Sequence, residues 1–145
     1  MVLTKQPNWS RRGLFSVAVT IALLLATAIS SCAFPEEVFD GSLDGDYYVN
    51  GFDHRGGEYS GVLTITTTVG SNVYDMQWIV TGSVQEGTGT VQGNRLVVEW
   101  NALQGFDALA HGDAVYEISP DGELRGERTV AGQEGTGTEE AFPLR

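Results

Sequence analysis

The chain has 145 residues, with eight Lys and Arg against nineteen Asp and Glu, two His and one Cys, and a formal net charge of −11. That acidity excludes nucleic acid as a partner, because binding there depends on Lys and Arg that neutralise phosphates. One cysteine excludes an intrachain disulfide, so an ordinary hydrophobic core must hold the fold, which is feasible at this size.

The N-terminus reads as a targeting segment rather than as part of a domain. Lys5, Arg11 and Arg12 are followed by an uncharged apolar run from Leu14 to Ile29, sixteen residues long. A bilayer span needs roughly 20. The run ends in Ile29-Ser30-Ser31-Cys32, which resembles the bacterial lipobox: an aliphatic residue, two small residues, then cysteine. Residues 1–31 are therefore expected to be a lipoprotein signal peptide and Cys32 the lipidation site. The protein would then sit in the bacterial cell envelope, lipid-anchored on the extracytoplasmic side of a membrane. Ser10-Arg11-Arg12-Gly13-Leu14-Phe15 also resembles a twin-arginine export motif. From Cys32 onward five arginines and no lysine face all nineteen acids, a charge of −14 over 114 residues.

Residues 32–44 hold Pro35, Glu36, Glu37 and Asp40 without periodicity and read as a flexible tether. Asp40-x-Ser42-x-Asp44-Gly45 resembles the first half of a calcium loop, but Gly51 stands where the bidentate glutamate belongs. A polar turn is the simpler reading.

From residue 45 to 145 apolar residues alternate, and turn signals recur every eight to twelve positions. Eight strands are predicted: Asp46–Asn50, Tyr59–Val69, Val73–Thr81, Val84–Gln92, Arg95–Trp100, Asp113–Ser119, Glu123–Val130 and Gly135–Leu144. Only Ala102–Ala110 hints at a helix. Gly82-Ser83 and Gly93-Asn94 read as two-residue hairpin turns with glycine first. They oppose Trp78 to Gly87, Met76 to Gly89 and Tyr74 to Val91 in one hairpin. In the next they oppose Gly87 to Trp100, Gly89 to Val98 and Val91 to Leu96. Gly87 thus falls between two indoles, which can cover backbone that carries no side chain. The same dry face takes Leu63, Ile65, Tyr116, Ile118 and Leu124, while Asp75, Gln77, Glu86, Thr88, Thr90, Arg95 and Glu99 form a wet face.

One dry face, one wet face and a hairpin meander predict an all-β protein, an eight-stranded antiparallel up-and-down β-barrel that leaves no open edge. A β-sandwich is the alternative. The hexapeptide Gln-Glu-Gly-Thr-Gly-Thr occurs at 85–90 and again at 133–138. Neither copy precedes a helical pattern, as a phosphate loop would require, so the repeat is read as strand material in strands 4 and 8.

Beyond these patterns the chain resembles a family of small exported bacterial β-barrel domains. The resemblance rests on Tyr59 and Gly61; Trp78; Gly87-Thr88-Gly89; Gly93, Leu96, Val98 and Trp100; Asp121-Gly122, Leu124 and Gly126; and Gly137-Thr138-Glu139. Some members carry a fibronectin-binding label. In this sequence Arg128 stands where the family tends to have tryptophan. The resemblance implies either an arginine within the apolar face or a barrel that opens at that seam. A looser architectural likeness is to lipocalins and avidin, whose barrels hold small ligands.

In a meander, alternate loops share an end. The long loops after strands 1 and 5 bring Phe52, His54, Arg55, Phe106 and His111 to one mouth, the expected ligand or partner site. Leu103, Phe106 and Leu109 would otherwise plug the barrel. A metal site at His54 and His111 would need Asp53, Asp107 or Asp113 as well, and no metal or cofactor is expected. No cysteine is free, no serine sits in a nucleophile elbow, and no lysine remains for Schiff-base chemistry, so no enzyme is expected. The expected function is a membrane-anchored, non-enzymatic binding module for a small hydrophobic ligand or an envelope protein. The alternative is a structural or protein-interaction lipoprotein with a fully packed barrel.

Overall fold

The computed structural model describes residues 39–145. The expected signal peptide and Cys32 lie outside the described residues. Eight strands run as β1 (Gly45–Phe52), β2 (Glu58–Thr67), β3 (Val73–Val80), β4 (Ser83–Gln92), β5 (Arg95–Gly105), β6 (His111–Ile118), β7 (Leu124–Arg128) and β8 (Gly137–Pro143). Each pairs antiparallel with the next, and β8 returns to β1, so the sheet is a closed barrel in sequence order. Closure is the barrel form of the fold, not the sandwich, and it leaves no strand edge to pair with another chain.

Alternation sets the two faces. Leu63, Trp78, Leu96, Val98, Tyr116 and Leu124 point inward and are buried, while Asp75, Gln77, Glu86, Thr88 and Glu99 point outward and are exposed. The β4–β5 register is as predicted, with Gly87 opposite Trp100 and Gly89 opposite Val98. The β3–β4 register is two residues from the prediction. Val80 pairs with Ser83, so the turn is Thr81-Gly82, and Met76 and Tyr74 face Gly87 and Gly89. Gly82 takes a positive φ of 73° in the second turn position. A slip of two residues preserves the face of every side chain, where a slip of one would invert it. Trp78 still lies over Gly87, diagonally: a Cβ on Gly87 would come within 3.1 Å of the indole and 2.7 Å of the Glu99 carbonyl oxygen.

Inward glycines elsewhere let strands approach more closely than a Cβ permits. A Cβ on Gly61 would sit 2.1 Å from the Ile79 carbonyl oxygen, and one on Gly51 would sit 2.4 Å from the Tyr59 ring. Strand bends of this kind are how a small sheet turns the corners of a barrel.

Two expected elements differ. β5 continues to Gly105 instead of ending at Trp100, and residues 106–110 form turns, so the suggested helix at Ala102–Ala110 is absent. Ala102 and Leu103 belong to the extended strand, while Phe106, Ala108 and Leu109 lie in the turns that follow it. The segment read as tether, 32–44, is folded onto the barrel where it is described. Leu43 is fully buried in the core and accepts a hydrogen bond at its carbonyl oxygen from the Tyr47 hydroxyl, 2.9 Å. The Phe39 amide donates to Asn94 Oδ1 at 2.8 Å, and its ring packs against the core. Asp44 accepts from the Ser42 hydroxyl and from both the amide and hydroxyl of Thr67. Those bonds hold its carboxyl below the usual carboxylate range, Ser42 contributing most. The calcium-like segment thus ties the chain entry to β2. Among the described residues, 39–145, the eight strands close on themselves around one core, which makes a fragment starting at Ala33 the natural one to test in solution.

Candidate functional site

Leu43, Tyr47 and Phe39 close one end of the barrel. At the other end the loops 53–57, 81–82, 106–110 and 129–136 surround a pocket of about 420 Å³. Arg128 lines its floor and pairs with Glu139 just behind it; the two occupy diagonal inward positions on β7 and β8 and are both buried, their side chains 7% and 0% exposed. Of the two readings of Arg128 offered by the sequence, the structure has the arginine within the apolar face and not an open seam.

A buried charge persists only if it is paired and hydrogen-bonded. Glu139 meets that condition through residues from four other strands. Its Oε1 accepts from Trp78 Nε1 (3.0 Å) and the Tyr116 hydroxyl (2.7 Å); its Oε2 accepts from the Tyr59 hydroxyl and Arg128 Nη1 (both 2.6 Å). Arg128 also donates through Nη2 to Gln85 Oε1 at 2.6 Å, and Gln85 Nε2 donates to the Ser83 hydroxyl. The guanidinium lies between two indoles, 4.9 Å from the Trp78 ring centre and 4.6 Å from that of Trp100. Burial alone works against the Arg128 charge, but the fields of Glu139, Tyr116 and Tyr59 outweigh it and hold the group above its ordinary value.

The same burial acts on the phenols. Desolvation first, and the Glu139 charge second, push Tyr116 and Tyr59 well above the usual phenol value. Burial raises Tyr47 to about 12, with help from Tyr74 and Asp44. A phenol whose folded pKa is raised contributes stability that is complete below its unfolded pKa, about 10, and is lost as pH climbs through the folded value. The melting midpoint is therefore expected to be insensitive to these groups from neutral pH to about 10 and to fall above it. Tyrosine absorbance should report ionisation delayed until unfolding. A midpoint that stays level well beyond that pH would contradict the assignment.

Above this floor the pocket is lined by Trp100, Ala102, Ala110 and Val130 and rimmed by Phe52, His54, Arg55 and Phe106. Four of the five residues expected at the mouth thus meet in one pocket. The fifth, His111, opens β6 and lines a groove on the outer wall with Glu99 and Asp113. Its Nδ1 lies 3.2 Å from the Leu109 carbonyl oxygen. Extending β5 shortened the loop that was to carry His111 inward. Leu103, Phe106 and Leu109 are exposed and do not plug the barrel, Phe106 being 98% exposed beside Gly82. Asp53 is occupied by its own loop, accepting from the amides of Arg55 and Gly57 at 2.8 Å. The Gly57 amide is the main cause of its lowered pKa. Among the described residues no group of three or more His, Cys, Asp or Glu is placed to hold a metal.

Two polar atoms in this region are buried without a hydrogen-bond partner among the described residues: Trp100 Nε1 and His54 Nε2. An unmade hydrogen bond of this kind costs about 1–3 kcal/mol. The second copy of the hexapeptide also reaches the mouth. Its first four residues form loop, and a Cβ on Gly135 would lie 2.7 Å from the His54 carbonyl oxygen. Only its last two residues enter β8. Two larger grooves, about 770 and 860 Å³, open on the outer wall among polar side chains, and the first of them reaches in to Tyr59 and Glu139.

Trp100 and Val98 were assigned to the dry face from sequence; Glu139 and Gln85 were not recognised as interior groups. The findable signal was parity. Arg128 shares the inward positions of Leu124 and Gly126, and Glu139 those of Gly137 and Ala141.

The fold and site define a small closed antiparallel β-barrel with one plugged end and one pocketed mouth. Designed proteins are among its similar solved structures. A redesigned β-barrel matches with a TM-score of 0.60 and 14% identity, over 71% of this chain and 92% of that one. A second, mFAP1, whose structure is bound to DFHBI, matches at 0.57 and 14% identity over 70% and 94%. A de novo fluorescence-activating β-barrel matches at 0.53 and 12% identity over 70% and 93%. No family model matches the chain, and no curated protein matches it. Of the resemblance drawn from sequence, the small β-barrel fold is what the comparisons show.

Proposed function

We propose that the chain is a non-enzymatic binding protein whose barrel mouth takes up a small molecule, held at the surface of a bacterial envelope membrane by a lipid on Cys32. The observation that carries the reading is the pocket of about 420 Å³ whose floor presents Arg128 and Trp100 and whose rim carries Phe52 and Phe106. Its volume lies within the roughly 300–1,000 Å³ usual for small-ligand sites. A fully packed structural barrel is disfavoured, because the lower half is filled by core side chains while the mouth is not. The binding of DFHBI by a designed barrel of the same fold supports the architecture's capacity for a small ligand, and no more than that at 14% identity.

Nile red, whose emission rises in apolar sites, is the test probe. The 33–145 fragment is expected to bind it saturably, one per barrel. Ala110→Trp, which fills the pocket from a half-buried loop position at the edge of the core, should weaken that binding at least about tenfold while the variant still melts cooperatively. Unsaturable binding, or binding indifferent to Ala110→Trp, would remove the pocket from consideration. The anchor has its own check. Cys32→Ser should release the full chain from the membrane fraction and abolish its acyl mass shift.

A further inference from the structure

We propose that the mouth pocket is built for an uncharged, flat, largely apolar molecule that presents a hydrogen-bond acceptor to the indole N–H of Trp100. The inference rests on the reading of the mouth as a small-ligand site and adds the class of ligand.

The polar inventory of the floor is short of acceptors. Both Glu139 oxygens are taken twice over, by Trp78 and Tyr116 and by Tyr59 and Arg128. Gln85 Oε1 is taken by Arg128. Two of the five guanidinium N–H groups of Arg128 are engaged, by Glu139 and Gln85. Trp100, only 6% exposed and lining the pocket, offers an N–H that no described residue accepts. What the site lacks is an acceptor atom, and a ligand's carbonyl or ether oxygen supplies one.

Charge then separates acceptors. The Arg128 cation is matched by Glu139 in direct contact. The pocket wall above holds Asp53, Glu58 and Asp107 against Arg55 alone. A carboxylate or sulfonate entering would meet a net negative rim with no unmatched cation beneath it, so the acceptor belongs to a neutral group. Shape supplies the remainder. Trp100, Tyr59, Phe52 and Phe106 give aromatic surface along the path from rim to floor, and such rings favour flat partners.

Three probes sort the alternatives on the 33–145 fragment: Nile red, flat and uncharged with a ring carbonyl; diphenylhexatriene, a flat hydrocarbon without an acceptor; and anilinonaphthalene sulfonate, an anion. Nile red is expected to bind at least about tenfold more tightly than either of the others. In a proton–nitrogen correlation spectrum its binding should move the Trp100 indole N–H downfield and leave that of Trp78, already held by Glu139, in place. Trp100→Phe should weaken Nile red about five- to tenfold and leave diphenylhexatriene unchanged. If Trp100→Phe fails to fold, the spectrum of the unaltered protein decides alone. Equal binding of Nile red and the hydrocarbon with an unmoved Trp100 signal would overturn the proposal, as would tightest binding of the sulfonate. Failure of all three probes would strike instead at the ligand site itself.

Discussion

Replacing Glu139 with glutamine is expected to destabilise the barrel by about 3–5 kcal/mol, the usual cost of leaving one partner of a buried ion pair behind. The carboxylate accepts four hydrogen bonds and is fully buried. An amide keeps one accepting oxygen, for Trp78 and Tyr116, but turns an NH₂ group toward the Arg128 cation. Small domains have only about 5–15 kcal/mol in total, so the melting midpoint should drop by more than about 10 °C. Adding Arg128→Met should recover most of the loss, because the amide then faces a neutral, polarisable side chain. Glu139→Leu with Arg128→Met should recover less, since Tyr59, Trp78 and Tyr116 would all lose their acceptor. Thermal melts of the four proteins decide the matter. A single Glu139→Gln substitution costing under about 1 kcal/mol would mean that the pair is solvated rather than buried.

Trp78→Ala is the second large effect, about 3–5 kcal/mol for an aromatic removed from a packed interior. The indole is fully buried and does three things at once. It covers Gly87, roofs the Arg128 guanidinium and donates to Glu139. Because it shares the network, its loss should not add to that of Glu139→Gln; a double-mutant cycle is expected to show a coupling of about 0.5–3 kcal/mol. Urea titrations should show a lower midpoint with an unchanged slope, the mark of lost stability rather than altered compactness. Strict additivity would place Trp78 outside the network.

The fold was legible because alternation is local. Strand positions such as 63 and 65, or 96, 98 and 100, reveal their face without any knowledge of a partner strand. Register was legible where a turn fixes it. Gly93-Asn94 does so, while Gly82, read as the first residue of a Gly82-Ser83 turn, is the second residue of Thr81-Gly82; a positive φ suits a hairpin glycine in either place, as Gly93 and Gly82 both show, so residue type alone does not decide the register there. The site was half legible. Its rim came from loops sharing one end of a meander, which topology alone dictates. Its floor did not, since the loop of residues 129–136 between β7 and β8 carries no short turn that would place Arg128 and Glu139 on neighbouring rungs. Local pattern shows that two opposite charges face inward; only the closed ring shows that they meet.

The position of Glu139 on β8 also bears on the order in which the barrel can be completed. Tyr59 and Glu139, which touch, lie 80 positions apart. Until β8 is in place, Arg128 has no carboxylate and β1 and β7 have no shared neighbour. A chain ending between residues 128 and 138 would have to place a bare cation between two indoles. Docking of β8 therefore closes the ring, completes the site and neutralises the interior cation in a single step.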